Sequence, residues 1–152
     1  MKKKISIIIP FYNEKENISL ILNQIKEKVL ISEKYNFEII LMNNDSNDGS
    51  DIVAKEEMAK FDDIKYFKLS RNFGYQSNIK AGFDLCTGDA AVQLDADGED
   101  DPILILEFLK LWEQGNDVVY GIRKKRKEFV FLSLARKFFY YFLNKFSEIY
   151  LP

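Results

Sequence analysis

"DAAVQLDADGEDDP", residues 89–102, joins a short apolar run to a cluster of five carboxylates. Asp95, Asp97 and Glu99 stand on alternate residues, and two further acids follow directly. Carboxylates this close together repel one another, and each raises the pKa of its neighbours. Such a cluster persists at low cost where water solvates it fully or where a cation lies within it, so other parts of the chain must distinguish these two hypotheses.

Outward from this stretch, short apolar runs alternate with helical patterns. Five runs predict strands: residues 4–9, 37–42, 64–70, 89–94 and 117–121. Four segments with helical spacing predict helices: residues 14–30, 50–61, 75–86 and 102–115. This alternation predicts an α/β fold with a mainly parallel central sheet and helices on both faces. Ligands bind such sheets outside the carboxyl ends of the strands, so the polar loops that follow the strands should share one rim.

Composition narrows the classes of function. The 152 residues are enough for one domain with a sizeable core, and a net charge of −2 gives no electrostatic argument for binding nucleic acid. The single cysteine, Cys86, excludes an internal disulfide. The absence of histidine excludes histidine-dependent nucleophiles and histidine-ligated zinc. Any metal is therefore expected to have oxygen ligands, which favours magnesium, manganese or calcium.

The acidic cluster has three interpretations. A solvated turn at the start of a helix accounts for Asp100 and Asp101 but not for acids that adjoin a buried strand. A calcium loop of the EF-hand type needs glycine at its sixth position, whereas Gly98 is fourth counting from Asp95. The third interpretation, which we favour, is an Asp-x-Asp pair, Asp95 and Asp97, that holds a divalent cation on a diphosphate.

The loops after the first two strands also offer binding groups. In "PFYNE", Tyr12 could stack on a base and Glu14 could form a hydrogen bond with a nucleoside. The alternative is that Tyr12 is a buried aromatic residue. In "NNDSNDGS", Asn43, Asn44 or Asp45 could contact a base edge, although these residue types also favour an ordinary turn.

Two later loops complete the predicted rim. In "SRNFGYQ", Asn72 is a candidate polar contact, and Gly74 would allow a ligand to approach the backbone closely. "GIRKKR" is a solvated basic loop or, through Arg123 and Arg126, a contact to phosphates.

Taken in order, "SIIIPFYNEKENI", "FEIILMNNDSNDGS", "LSRNFGYQSNIKAGFDLCTGDAAVQLDADGEDDP" and "DVVYGIRKKR" resemble glycosyltransferase family 2. Within that family the motifs are most similar to the enzymes that load a sugar onto a polyprenyl phosphate. The resemblance implies a GT-A-like fold, a UDP- or GDP-sugar donor, a divalent cofactor (Mg²⁺ or Mn²⁺) and an inverting transfer to a polyprenyl phosphate acceptor. It also implies a location at the cytoplasmic face of a membrane.

The resemblance assigns roles to particular residues. The implied catalytic residues are Asp97 and Arg123, and the implied metal ligands are Asp95, Asp97 and Glu99. The implied nucleotide-binding set is Pro10, Tyr12, Glu14, Asn44, Asp45, Asn72, Gly74, Asp95 and Ala96. One departure concerns the base pocket, because this chain has Asn43, Asn44 and Asp45 where the family usually has "DDG".

We expect two segments. Residues 1–128 are predicted to form the nucleotide-sugar-binding domain, the donor half of a longer, membrane-anchored enzyme. Residues 129–152 are predicted to form an amphipathic, aromatic-rich helical tail that lies on a membrane surface or self-associates into a homo-oligomer. A core helix that closes the sheet is the alternative for the tail. For the whole chain, the alternatives are a non-catalytic nucleotide-binding module and a transferase with a glycan acceptor.

Overall fold

The computed structural model describes residues 2–122. Arg123, Arg126 and the tail at 129–152 lie outside the described residues, so the predictions made for them stay predictions. Within residues 2–122, four strands alternate with four helices: β1 (Lys4–Phe11), α1 (Lys15–Lys28), β2 (Asn36–Asn43), α2 (Ser50–Met58), β3 (Ile64–Lys68), α3 (Tyr75–Asp84), β4 (Ala90–Gln93) and α4 (Leu104–Glu113).

The four strands form one parallel sheet in the order β3-β2-β1-β4. Ile5 of β1 pairs with Phe37 on one side and with Ala90 on the other. The chain therefore builds outward from β1 to β3 and then returns to the opposite side of β1. That reversal between β1 and β4 is a topological switch point, where the loops that follow neighbouring strands diverge and leave a crevice.

Helices cover both faces of the sheet. On one face, Ile5, Ile7 and Ile9 of β1 pack in a core shared with α1, α2 and α4. On the other face, Ile8 lies in a smaller cluster against α3. Helix α3 lies so close that a Cβ added at Gly82 would be 2.4 Å from Cγ2 of Ile8. The predicted α/β fold, a parallel sheet with helices on both faces, is confirmed.

The fifth predicted strand is wrong. Residues 117–121 are not in a strand, and the side chains of Val118 and Tyr120 are 79% and 74% exposed. Valine and tyrosine favour strands where a neighbouring strand pairs with them, and none pairs with this segment within residues 2–122. Gly115, with a φ of 96°, follows the end of α4 as predicted, although α4 begins at Leu104 rather than at Pro102.

Candidate active site at the carboxyl edge of the sheet

A cavity of about 400 Å³ lies at the carboxyl ends of the strands. Segments that follow all four strands contribute to its wall, and those after β1 and β4 flank the switch point. The lining residues are Pro10, Phe11, Tyr12, Glu14, Asn44, Asn72, Gly74, Tyr75, Asp95, Ala96 and Asp97. The cavity thus brings together every residue of the predicted nucleotide-binding set except Asp45, and it includes Asp97.

The loop after β1 is tied to the loop after β2. Asn13, in the left-handed region with a φ of 57°, donates its backbone N–H to Ser46 Oγ at 2.9 Å. Its own Oδ1 accepts a hydrogen bond from the backbone N–H of Asn47 at 2.9 Å. Between these anchors and β1, Tyr12 remains 43% exposed while it lines the cavity. The alternative of a buried Tyr12 is therefore wrong, and its ring is accessible to a ligand.

Asn44 is the buried polar residue of the cavity wall, and its amide has a defined orientation. Its Oδ1 accepts a hydrogen bond from the backbone N–H of Phe73 at 3.0 Å, and its Nδ2 donates to Asn72 Oδ1 at 3.0 Å. Asn72 Oδ1 also accepts from the backbone N–H of Gly74 at 2.8 Å. Because backbone N–H groups only donate, they fix which atom of each amide is the oxygen. The amide pair therefore fastens the loop after β3 to the end of β2.

The other two candidates in "NND" have different surroundings. The Asn43 side chain is buried and holds the turn, with Oδ1 accepting from Ser46 N at 2.8 Å and Nδ2 donating to Tyr66 Oη at 2.9 Å. The Asp45 backbone has a φ of 64°, and its carboxylate lies 3.1 Å from Lys68 Nζ, a hydrogen bond that raises the pKa of Lys68. Of the three residues, Asn44 is the one that lines the cavity.

Tyr75 is a cavity residue that sequence reasoning missed. Its hydroxyl donates to Asp95 Oδ1 at 2.5 Å and accepts from Gln93 Nε2 at 2.9 Å. Partial burial, and then the hydrogen bond to Asp95, raise the pKa of Tyr75 to about 12, so the hydroxyl is a donor at neutral pH. The available signal was its position directly after Gly74, in a loop already predicted to lie at the rim.

The acids of the cluster have different positions: two line the cavity, and another lies at the start of α4. Asp95 and Asp97 line the cavity, and Asp97 Oδ1 accepts a hydrogen bond from the backbone N–H of Glu99 at 3.0 Å. Glu99 itself does not line the cavity. Asp101 belongs to the start of α4: the backbone N–H of Ile103 and then Lys28 Nζ, each at 3.0 Å, hold the pKa of Asp101 below its usual range. The solvated-turn interpretation therefore describes Asp101.

The donor set fits a hard divalent cation that has few protein ligands. Across residues 2–122, no three acidic, histidine or cysteine side chains are grouped so as to hold a metal ion. Asp95 and Asp97 nevertheless offer two carboxylates to one cavity. Magnesium in particular is bound through one or two carboxylates and takes its other ligands from water and substrate phosphates.

Residues 6–151 match the sequence profile of "Glycosyl transferase family 2". The chain belongs to this family, and its class is therefore that of the glycosyltransferases. It is 38% identical over 148 residues to "Uncharacterized glycosyltransferase YkcC" of Bacillus subtilis, covering 97% of this chain and 46% of that protein. It is 35% identical over 127 residues to "Undecaprenyl-phosphate 4-deoxy-4-formamido-L-arabinose transferase" of Pseudomonas syringae, covering 83% and 37%. The chain thus spans less than half the length of these relatives.

Two solved structures share the fold. A mannosyltransferase from Pyrobaculum calidifontis, in complex with GDP-Man and Mn²⁺, superposes with a TM-score of 0.57 at 22% identity, covering 64% of this chain and 28% of that one. TarS from S. aureus, in complex with UDP, superposes with a TM-score of 0.62 at 18% identity, covering 82% and 40%. The predicted GT-A-like architecture is confirmed by these neighbours. In residues 2–122, no helix has the length and apolarity needed to span a bilayer.

Proposed function

We propose that this chain forms the donor-binding part of an inverting glycosyltransferase that moves a sugar from UDP or GDP to a polyprenyl phosphate. The observation that carries the proposal is the cavity at the switch point, which combines an accessible aromatic ring, a buried amide and the Asp-x-Asp pair. The relative from Pseudomonas syringae supports the acceptor class, and the solved neighbours support a nucleotide donor.

The nucleoside would occupy the side of the cavity formed by the loops after β1 and β2. The exposed face of Tyr12 suits stacking on a base, since any base offers a π-face. Asn44 keeps one N–H and one oxygen lone pair beyond its bonds to Asn72 and Phe73, so it can pair with a base edge as donor and acceptor. Glu14 lines the same part of the cavity and offers carboxylate oxygens to ribose hydroxyls.

The diphosphate would occupy the side formed by the loop after β4. Asp95 and Asp97 would hold Mg²⁺ or Mn²⁺ there, with Glu99 as a further predicted ligand. A bound divalent ion neutralises the charge that develops on a leaving diphosphate. Arg123, predicted from the sequence, would add positive charge on the same phosphates.

The acceptor supplies its own nucleophile. A polyprenyl phosphate is ionised at neutral pH, so one of its oxygens can attack the anomeric carbon without a general base. The new C–O bond forms as the bond to the nucleoside diphosphate breaks, and the bonding electron pair leaves with the diphosphate. A chain without histidine is compatible with this chemistry.

Calorimetry with and without Mn²⁺, using UDP, GDP and their sugars as ligands, tests the proposal. Asp97→Ala should remove the Mn²⁺-dependent gain in nucleotide affinity, because it removes one of the two carboxylates of the Asp-x-Asp pair. The control, Asp101→Asn, changes an acid of the same cluster that serves α4 and should keep the gain. Equal Mn²⁺-dependent affinities for the unchanged chain and Asp97→Ala would contradict the proposal.

A further inference from the structure

Three side chains form a closed hydrogen-bonded triangle beside the cavity, and two of them, Tyr75 and Asp95, line it. Tyr75 Oη lies 2.5 Å from Asp95 Oδ1, Gln93 Nε2 lies 2.8 Å from the same oxygen, and Gln93 Nε2 lies 2.9 Å from Tyr75 Oη. Gln93 is the last residue of β4, and Tyr75 is the first residue of α3. The triangle therefore links two elements of the scaffold to the first acid of the Asp-x-Asp pair.

The directions of these bonds follow from the available protons. The Gln93 amide nitrogen is a donor that lies within hydrogen-bond distance of both oxygens, and because those oxygens are only 2.5 Å apart, one N–H faces both of them. The Tyr75 hydroxyl then accepts from Gln93 and gives its own proton to Asp95 Oδ1. Both donors thus converge on one carboxylate oxygen, and bonds of this charge-assisted kind are stronger than neutral ones. Within residues 2–122, Asp95 Oδ2 accepts no comparable bond.

The position of Tyr75 is itself fixed by the backbone around it. Gly74 has a φ of 85°, which residues with a Cβ rarely adopt, and this turn sets the start of α3. Asn78, one turn into α3, is buried and donates Nδ2 to the carbonyl oxygen of Met42 at 2.9 Å, which fastens the helix to the end of β2. The Tyr75 hydroxyl is thus held by a helix anchored to the sheet.

We propose that Tyr75, assisted by Gln93, is a positioning residue: it holds the Asp95 carboxylate by Oδ1 so that Oδ2 is presented to the divalent cation. This inference rests on the proposed function. A carboxylate whose rotation is already restricted loses less conformational entropy when it binds a metal. Residues that hydrogen-bond to metal ligands commonly set metal affinity in this way.

Tyr75→Phe is the test, because it deletes the hydroxyl and keeps the ring. In the presence of UDP or GDP, the affinity for Mn²⁺, measured by calorimetry and by the electron paramagnetic resonance of free Mn²⁺, should fall by about tenfold. Nucleotide affinity without metal should change less than Mn²⁺ affinity does, because the hydroxyl acts through Asp95. Gln93→Leu, which removes the second donor and leaves Tyr75 in place, should lower Mn²⁺ affinity in the same direction.

Tyr35→Phe is the matched control. Tyr35 also interacts with a carboxylate, that of Glu113, which contributes with burial to a raised pKa of Tyr35, but Tyr35 directly precedes β2 at the opposite, amino edge of the sheet. Tyr35→Phe should therefore leave Mn²⁺ affinity unchanged. Unchanged Mn²⁺ affinity in both Tyr75→Phe and Gln93→Leu would overturn the positioning role and leave the proposed function standing. If the unchanged chain binds neither nucleotide with Mn²⁺, the proposed function is overturned, and this inference with it.

Discussion

At the residue scale, the neighbouring side chains of "NND" differ sharply in environment. Asn44 is 3% exposed and lines the cavity, whereas Asp45 pairs with Lys68 away from it. The sequence indicated that a base contact could come from this turn but could not tell which residue makes it. The choice depends on the left-handed backbone at Asp45 and on the buried bonds of Asn43, and neither is visible in residue types that simply favour turns.

Asn44→Asp tests the importance of the buried amide. A carboxylate oxygen would face Asn72 Oδ1, which is 3.0 Å from Nδ2 of Asn44 and already accepts from Gly74. We expect the free energy of unfolding to fall by about 1–3 kcal/mol, the usual cost of leaving a buried polar group without its hydrogen-bond partner. The relative affinities for UDP and GDP should also change, because the donor N–H is removed.

Asp45→Asn is the control for that experiment. It changes one charge at the next residue, and asparagine tolerates the left-handed backbone as well as aspartate does. Since the pair with Lys68 is exposed, we expect a smaller loss of stability than for Asn44→Asp. The relative affinities for UDP and GDP should stay as they are in the unchanged chain. An Asn44→Asp chain with unaltered stability and unaltered base preference would contradict the role given to this amide.

At the scale of elements, the periodicity of apolar residues located all four strands and all four helices of the described chain. Its failure at 117–121 has a physical cause, because strand formation depends on a neighbour as well as on residue type. The sequence pattern also did not show that a charged residue is buried within one of the strands. Glu38, in the apolar run "FEIILM", is 2% exposed, and its charge is satisfied by groups distant in sequence.

The Glu38 network joins β1, β2 and β3 at the edge opposite the cavity. Lys4 Nζ and Lys65 Nζ each lie 2.8 Å from Oε2, and Ser6 Oγ and Thr87 N donate to Oε1 at 2.6 and 2.8 Å. Burial raises the pKa of Glu38, but these hydrogen bonds together lower it well below its usual range. The stabilisation is therefore present above the unfolded pKa of about 4.3 and is lost as pH falls below it.

Glu38→Gln should lower the free energy of unfolding at pH 7 by on the order of 3 kcal/mol, because it leaves the network without its charge. Urea denaturation at pH 7 and at pH 3 measures the free energy of unfolding of both chains. The deficit of Glu38→Gln relative to the unchanged chain should be smaller at pH 3 than at pH 7. The control Asp84→Asn removes an exposed i,i+4 pair with Lys80 and should cost less than about 0.5 kcal/mol. A Glu38→Gln deficit that stays constant with pH would contradict the depressed pKa.

At the scale of the whole molecule, the strand order is what converts scattered motifs into one site. Loops that are distant in sequence, after β1 and after β4, become neighbours because the chain reverses direction across β1. Strand-helix alternation predicted the shared rim in advance, since parallel strands end at one edge. The same alternation could not predict the hydrogen bonds among Tyr75, Gln93 and Asp95, because these bonds depend on how α3 packs on the sheet.

The proposed function puts a nucleotide in this cavity, with its diphosphate held through a divalent cation. A crystal structure of the chain with Mn²⁺ and whichever of UDP or GDP binds more tightly tests it most directly. We predict the base against Tyr12, the diphosphate at the loop after β4, and Mn²⁺ in contact with carboxylate oxygens of Asp95 and Asp97. A nucleotide bound elsewhere, or a metal that touches neither carboxylate, would contradict the proposed function.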